Sequence, residues 1–226
     1  MFKYLPENIS TFGGEIDSLI FLIYGIVGFF FVVMESYLLV AVLRFRRTKG
    51  RAATFLTGES RAAVTGILVF AAVVFTIDLG IDVKGARAWA MVKENIPRPD
   101  LVVRVRAQQF YWDFIYAGPD EKLDTKDDVT IRGSLRVPVG KTIKLELEST
   151  DVIHSFFVPA ARFKQDVLPG RKIGAWFSLT KTGTYPIACA ELCGLGHTRM
   201  FGELIVQTPE EFEAWKKEAV GEEIVW

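Results

Sequence analysis

Cysteine and histidine are scarce in this chain of 226 residues, which has two of each. Two cysteines exclude a disulfide scaffold and any four-cysteine zinc or iron–sulfur site built within one chain. Two histidines exclude a set of His-ligated haems or a His-rich metal cluster. Net charge is also absent: 27 basic residues balance 27 acidic ones, so no bulk charge draws the chain onto nucleic acid or a membrane surface. Charged residues make up 24%, an ordinary share that excludes wholesale disorder. There is no internal repeat and no low-complexity tract. Apolar residues, in contrast, make up half of the chain. The rare residues are also concentrated, with both cysteines and one histidine between positions 189 and 197.

The apolar residues are gathered near the N-terminus. The first 18 residues are mostly polar and lack the basic start of a secretory signal. A run from Leu19 to Val42 is then interrupted mainly by Glu35 and Ser36. Its 24 positions reach roughly 36 Å as a helix, more than the ~30 Å hydrocarbon core of a bilayer. A second run, Ala62 to Ile81, has Asp78 as its only charge and is just long enough to span. Together they predict a transmembrane hairpin. The connecting loop holds Arg44, Arg46, Arg47, Lys49, Arg51 and Arg61 against Glu59, whereas the tail before the first run has Lys3 against three acids. The excess of basic residues puts the loop in the cytoplasm and both termini outside. Glu35, inside the first span, reads as a proton path, an inter-subunit contact or a neutral group in a packed seam. Asp78 and Asp82, four apart on one helix face, mark the outer interface.

From Pro97 the pattern changes to short segments with alternating burial character. Residues 100–116 read as one strand rich in valine and aromatics, and residues 135–149 alternate still more clearly. A polar loop with Gly118 and Pro119 separates them. Residues 154–159, 172–179, 183–189 and 201–207 are further strand candidates, and residues 209–219 read as a short amphipathic helix. The prediction is a tail and two-helix hairpin over residues 1–96, then an all-β sandwich or barrel over 97–226.

The chemistry is expected in the segment Cys189-x-Glu191-x-Cys193-Gly-x-x-His197-x-x-Met200, with His154 lying 35 residues upstream of Cys189. Thiolates, imidazoles and a thioether together suit copper better than hard cations. A mononuclear blue-copper site needs one cysteine, two histidines and a weak axial methionine. A second cysteine four residues on lets two thiolates bridge a pair of metal ions, each terminated by one histidine. A Cys189–Cys193 disulfide and a tetrahedral zinc site are the competing readings.

These motifs, with the aromatic segment, the hairpin and the stretches around residues 151–158 and 163–171, resemble subunit II of the haem–copper terminal oxidases, the cytochrome c oxidase family. The resemblance implies a cupredoxin-like Greek-key barrel carrying the dinuclear copper centre CuA. It implies Cys189 and Cys193 as bridging thiolates and His154 and His197 as terminal imidazoles. Met200 is then the weak ligand of one copper and the Glu191 carbonyl that of the other. The Glu191 carboxylate is implied to bind magnesium at the interface with the catalytic subunit. Asp151 and Asp166 are expected to orient ligands, and Arg171 to face the membrane subunit.

Two positions depart from the family pattern. Phe110, Tyr111 and Trp112, in Gln109-Phe110-Tyr111-Trp112, are the electron-entry candidates, with a core role as the alternative reading for two of the three. Phe110 stands where the family's electron-accepting tryptophan is expected, which leaves the donor open between cytochrome c and a complex-bound cytochrome. Asp120, Glu121, Asp124, Asp127 and Asp128 are candidates for steering a basic cytochrome. The acid common at the start of the family's second helix is missing, and Glu59 is the nearest candidate for proton entry.

The implied function is electron transfer in a respiratory chain, as one subunit of a proton-translocating oxidoreductase. Oxygen reduction then belongs to the haem-bearing subunit I. The implied setting is a bacterial-type inner membrane, in contact with lipid, with the copper domain on the periplasmic side and no nucleic-acid partner. A copper subunit of a nitric oxide reductase and a membrane-tethered copper carrier are the alternatives. A quinol oxidase subunit keeps the fold without the copper ligands, so the intact loop argues against it.

Overall fold

The structure, a computed structural model, describes residues 5–50, 52 and 57–221. Lys3 and Arg51, counted above among the tail and loop charges, lie outside the described residues. The chain divides into two compact units, residues 15–90 and residues 1–14 with 91–226.

The first unit is helical. Helix α1 runs Gly13–Phe45 and α2 runs Arg61–Trp89, continuing as a π-helical turn through Glu94. Both are longer than their apolar runs because nothing in the flanking polar residues stops a helix. The start of α2 is set by Ser60, whose side chain accepts the Ala63 N–H. Both helices are long and apolar enough to cross a membrane, and their apolar side chains are exposed along their length.

The second unit is a two-layer sandwich of the expected cupredoxin-like type. Its strands are β1 (Leu101–Gln108), β2 (Tyr111–Tyr116), β3 (Val129–Arg132), β4 (Ser134–Pro138) and β5 (Thr142–Ser149), followed by β6 (His154–Val158), β7 (Phe163–Val167), β8 (Ile173–Ser178), β9 (Gly183–Cys189) and β10 (Phe201–Gln207). One sheet has the order β3-β2-β1-β5-β8 and the other β4-β10-β9-β6-β7. The chain changes sheet after β3, β4, β5, β7 and β8, so each layer is stitched to the other many times. In β5 the alternation is strict: Ile143, Leu145 and Leu147 are fully buried, while Lys144, Glu146 and Glu148 point the other way. Between the sheets runs a chain of edge-to-face rings, Trp112–Phe156–Phe163–Phe177, with centroids 5.2, 6.1 and 5.5 Å apart.

Four features differ from the sequence expectation, the first being that residues 135–149 are not one alternating stretch but two strands of different sheets, β4 and β5, parted at residues 139–141. The aromatic segment 100–116 is two antiparallel strands, because the chain reverses at Gln109 and Phe110. Strands β3 and β7 lie at sheet edges, where mixed polarity carries little periodic signal. The N-terminal segment grouped with the helices belongs to the sandwich unit. There the Ile9 N–H donates to Ala160 O and Ile9 O accepts from the Thr180 N–H, while Phe12 packs edge-on against Trp176. Gly13 permits this close packing, since a Cβ there would lie 2.0 Å from Asn8 Oδ1. Met91 onward also joins the sandwich unit, and the Trp176 indole N–H donates to Val92 O at 3.0 Å. Helix α3 (Pro209–Gly221) packs Trp215 edge-to-face with Tyr116, 5.1 Å between centroids.

Candidate metal centre

One end of the sandwich carries the rare residues. His154 opens β6 and is completely buried. Cys189 ends β9, and the chain then makes an irregular loop that re-enters the sheet at Phe201. Within that loop Cys193 is buried, residues 197–199 form a single helical turn, and Met200 is fully buried. The loop is closed at its base by the Cys189 N–H donating to Met200 O and the Ala190 N–H to Ser155 O.

The soft donor atoms converge. The sulfurs of Cys189 and Cys193 lie 3.9 Å apart. Cys189 Sγ is 3.9 Å from His154 Nδ1, and Cys193 Sγ is 3.5 Å from His197 Nδ1. Met200 Sδ approaches Cys193 Sγ at 3.8 Å, and the Glu191 carbonyl oxygen lies 3.2 Å from Cys189 Sγ. The ligand atoms of His154, Cys189 and Cys193 fall within 4.8 Å of one another, a group that does not extend to His197. A single tetrahedral ion needs all four ligands around one point. Here two sulfurs sit side by side with a ring nitrogen beside each, a donor set that fits a soft metal pair better than one ion. The sulfurs are also too far apart to be bonded, and both cysteines are free.

Electrostatics divide the sulfurs. Burial pushes the Cys189 thiol up, but hydrogen bonds with His154 and with the backbone at Ser155 and Glu191 outweigh it and bring it down to about 6. Burial and the neighbouring Cys189 push Cys193 up to about 11. Burial disfavours the imidazolium of His154, yet Cys189 and Asp151 together raise its pKa. Asp151 Oδ1 sits 2.9 Å from His154 Nε2, leaving Nδ1 to face the sulfur.

The remaining expected residues are distributed around this cluster. Trp112 is fully buried with its ring 6.0 Å from that of His154, so it is a packing neighbour and not a surface residue. Phe110 is half-buried at the β1–β2 turn, against Gly194 and Gly196 of the loop. Tyr111 lies under the Arg132 guanidinium at 3.8 Å. Asp166 accepts from Ser155 Oγ at 2.7 Å and so steadies the strand beside Cys189. Arg171 is exposed and lines an open depression of about 540 Å³ with Arg106, Gln108 and Lys172. Glu59 is exposed just before α2. Sequence reasoning missed two contributors, Gln109 and Ser155. Both act through backbone or amide groups, which carry no residue-type signature for metal chemistry.

The sequence model of the periplasmic domain of cytochrome c oxidase subunit II matches residues 101–208. The alternative cytochrome c oxidase subunit 2 of Bradyrhizobium diazoefficiens is 30% identical over 233 residues, covering 92% of this chain and 81% of that protein. Cytochrome c oxidase subunit 2 of Thermostichus vulcanus is 48% identical over 120 residues, 53% of this chain; the match spans only 34% of the relative's length. The crystal structure of the periplasmic domain of subunit II of cytochrome oxidase from Bradyrhizobium japonicum is 31% identical and covers 55% of this chain and 96% of that one, with a TM-score of 0.49. With two membrane-capable helices, a copper-type donor cluster and a full-length relative of this kind, the chain belongs to the cytochrome c oxidase subunit 2 family.

Proposed function

We propose that the chain is the electron-transfer subunit of a respiratory haem–copper oxygen reductase and holds a dinuclear copper centre. The observation that carries the reading is the pair of sulfurs 3.9 Å apart, each with its own imidazole nitrogen. Cys189 and Cys193 would serve as the bridging thiolates, His154 and His197 as the terminal imidazoles, and Met200 and the Glu191 carbonyl as the weak ligands. When bound, such a pair supplies a one-electron couple shared over two metals. The protein's part is to hold the donors still. Asp151 fixes the ring of His154, Ser155 O and Met200 O fix the ends of the loop, and the sandwich excludes water from Met200 and His154. A cage of this kind needs little rearrangement when the charge of its contents changes.

The subunit takes electrons one at a time from a periplasmic cytochrome and hands them to haem in the catalytic subunit, where oxygen is reduced and protons are moved. The loop presents Leu192 and Leu195 to solvent, 77% and 103% exposed, a lipophilic surface suited to a protein partner. The exposed Glu191 side chain is free to bind magnesium at the subunit I interface. Phe110 covers the loop from the side of the β1–β2 turn, and electron entry is assigned to Phe110, Tyr111 and Trp112, whose ring lies 6.0 Å from that of His154. Arg171 faces the membrane subunit, and Glu59 serves proton entry. Both termini and the copper domain lie on the periplasmic side. In support, residues 9–12 are built into the same sandwich that follows α2.

The test is to load the full chain, in detergent, with copper, count the metal and record its electron paramagnetic resonance. Two coppers sharing one unpaired electron are expected. One copper with a mononuclear spectrum would instead indicate a carrier and withdraw the electron-transfer reading.

A further inference from the structure

The turn between β1 and β2 does more than reverse the chain. The Gln109 N–H donates to Asp151 Oδ2 at 2.7 Å, and the side-chain amide of the same residue donates to the Cys193 carbonyl at 2.6 Å. The other oxygen of Asp151 holds His154 Nε2 at 2.9 Å and accepts the Val152 N–H at 2.6 Å. One residue thus connects the carboxylate behind His154 with the peptide of Cys193, which belongs to the opposite side of the cluster. The loop is shaped to receive the turn. A Cβ on Gly194 would lie 2.7 Å from Gln109 Nε2, and one on Gly196 would lie 2.4 Å from the ring of Phe110. Gly194 also has φ +127°, a conformation that other residues rarely adopt.

We infer that Gln109 is a positioning residue that fixes the spacing between the two halves of the copper site, by tying the Cys193 peptide to the Asp151–His154 pair. The inference rests on the copper reading above and names a control for it. Without the amide donor, the Cys193 peptide turns freely, and the sulfur and the His197 turn that follow it are no longer referenced to His154. Phe110, seated between two glycines, keeps the loop near but supplies no direction, since an aromatic contact is not a hydrogen bond.

The experiment compares the full-length wild type with Gln109→Met, which keeps length and the backbone N–H to Asp151 but removes the side-chain amide that holds the Cys193 carbonyl, and with Gln109→Ala. Three quantities are read: copper release to an excess of chelator, the copper hyperfine pattern, and thermal unfolding of the metal-free chain. Expected for both variants is release faster by about tenfold and an altered hyperfine pattern. The unfolding midpoint of Gln109→Met should stay near that of the wild type. Unchanged release and an unchanged spectrum in Gln109→Met would overturn the inference, as would changes only in proportion to a loss of fold stability. If Gln109→Met does not fold, Gln109→Ala decides by the same criteria. A wild type that takes up one copper overturns the dinuclear reading by itself, and the release rates of the variants still judge Gln109.

Discussion

His154 and His197 face neighbouring sulfurs, yet the two rings are held in opposite ways. His154 is fully buried at the head of a strand, with Trp112 against its face and Asp151 at its far nitrogen. His197 is half-buried on a one-turn helix in a loop whose only regular support is at its ends. One side of the site is part of the hydrophobic core; the other is a flap laid over it and fastened by Gln109, two glycines and Met200. The difference teaches that a rigid donor set need not come from a uniformly rigid frame. A buried side sets position, and a loop with few fastenings closes on it while still showing Leu192 and Leu195 to a partner.

Under the proposed reading both sides depend on the bridging sulfurs, so losing either one should erase the difference between them. Cys189→Ser or Cys193→Ser is expected to abolish the two-copper signal altogether, read by metal count and electron paramagnetic resonance. A normal two-copper spectrum in either variant would show that the bridging assignment is wrong. Next come the histidines, which separate the sides. His154→Ala leaves a hole in the core and takes one of several partners from Asp151, so the metal-free chain should lose about 2–4 kcal/mol. His197→Ala should cost the same chain less than about 1 kcal/mol, although copper binding suffers in both. Equal losses of stability in denaturant titrations would mean that the flap is as much a part of the core as the strand.

How much of this could be read beforehand follows the same division. The hairpin, the sandwich and all the cluster residues were legible, since long apolar runs, period-two alternation and rare soft ligands leave strong marks. The reversal at Gln109 and Phe110 was not, because a continuous row of valines and aromatics looks the same whether or not the chain folds back in the middle. The N-terminal segment was misgrouped for a related reason: Ile9 and Phe12 are isolated apolar residues in a polar tail, and only the groove between Ala160 and Thr180 gives them a destination. Which of Phe110, Tyr111 and Trp112 belongs to the core was not legible, because residue type does not report which face of a strand is covered; Trp112 is the fully buried one.

A subtler probe of the flap is Met200, the one loop side chain that is completely buried and also faces a sulfur. Met200→Leu keeps volume and polarity, so the fold should lose under about 1.5 kcal/mol. The thioether is gone, however, and the reduction potential and hyperfine pattern should move while both coppers stay bound. A potential and spectrum identical to the wild type would make Met200 a fastening of the flap and nothing else.

The weakest effect is expected outside the cluster, in the middle of the strand that leads into the Gln109 turn. Arg104 is 4% exposed and pairs with Asp124 and with Glu146 at 3.3 Å. The Arg104 hydrogen bond holds the Asp124 carboxyl below its usual range. Burial pushes Glu146 up, but Lys144 and Arg104 together leave it lowered as well. Carboxyls with lowered native pKa values stabilise the fold above their unfolded values, near pH 4, and that contribution is lost as pH falls through the native ones. Arg104→Met removes the main cause at Asp124 and the smaller one at Glu146, so the variant should be less stable than the wild type at pH 7, and the gap should narrow at about pH 3. Both carboxylates keep access to water, which makes this a small change in denaturant midpoint. The copper spectrum should stay the same throughout. A shifted spectrum would mean that a change in the middle of β1 reaches the turn, and that the flap is fastened to the strand and not to Gln109 alone.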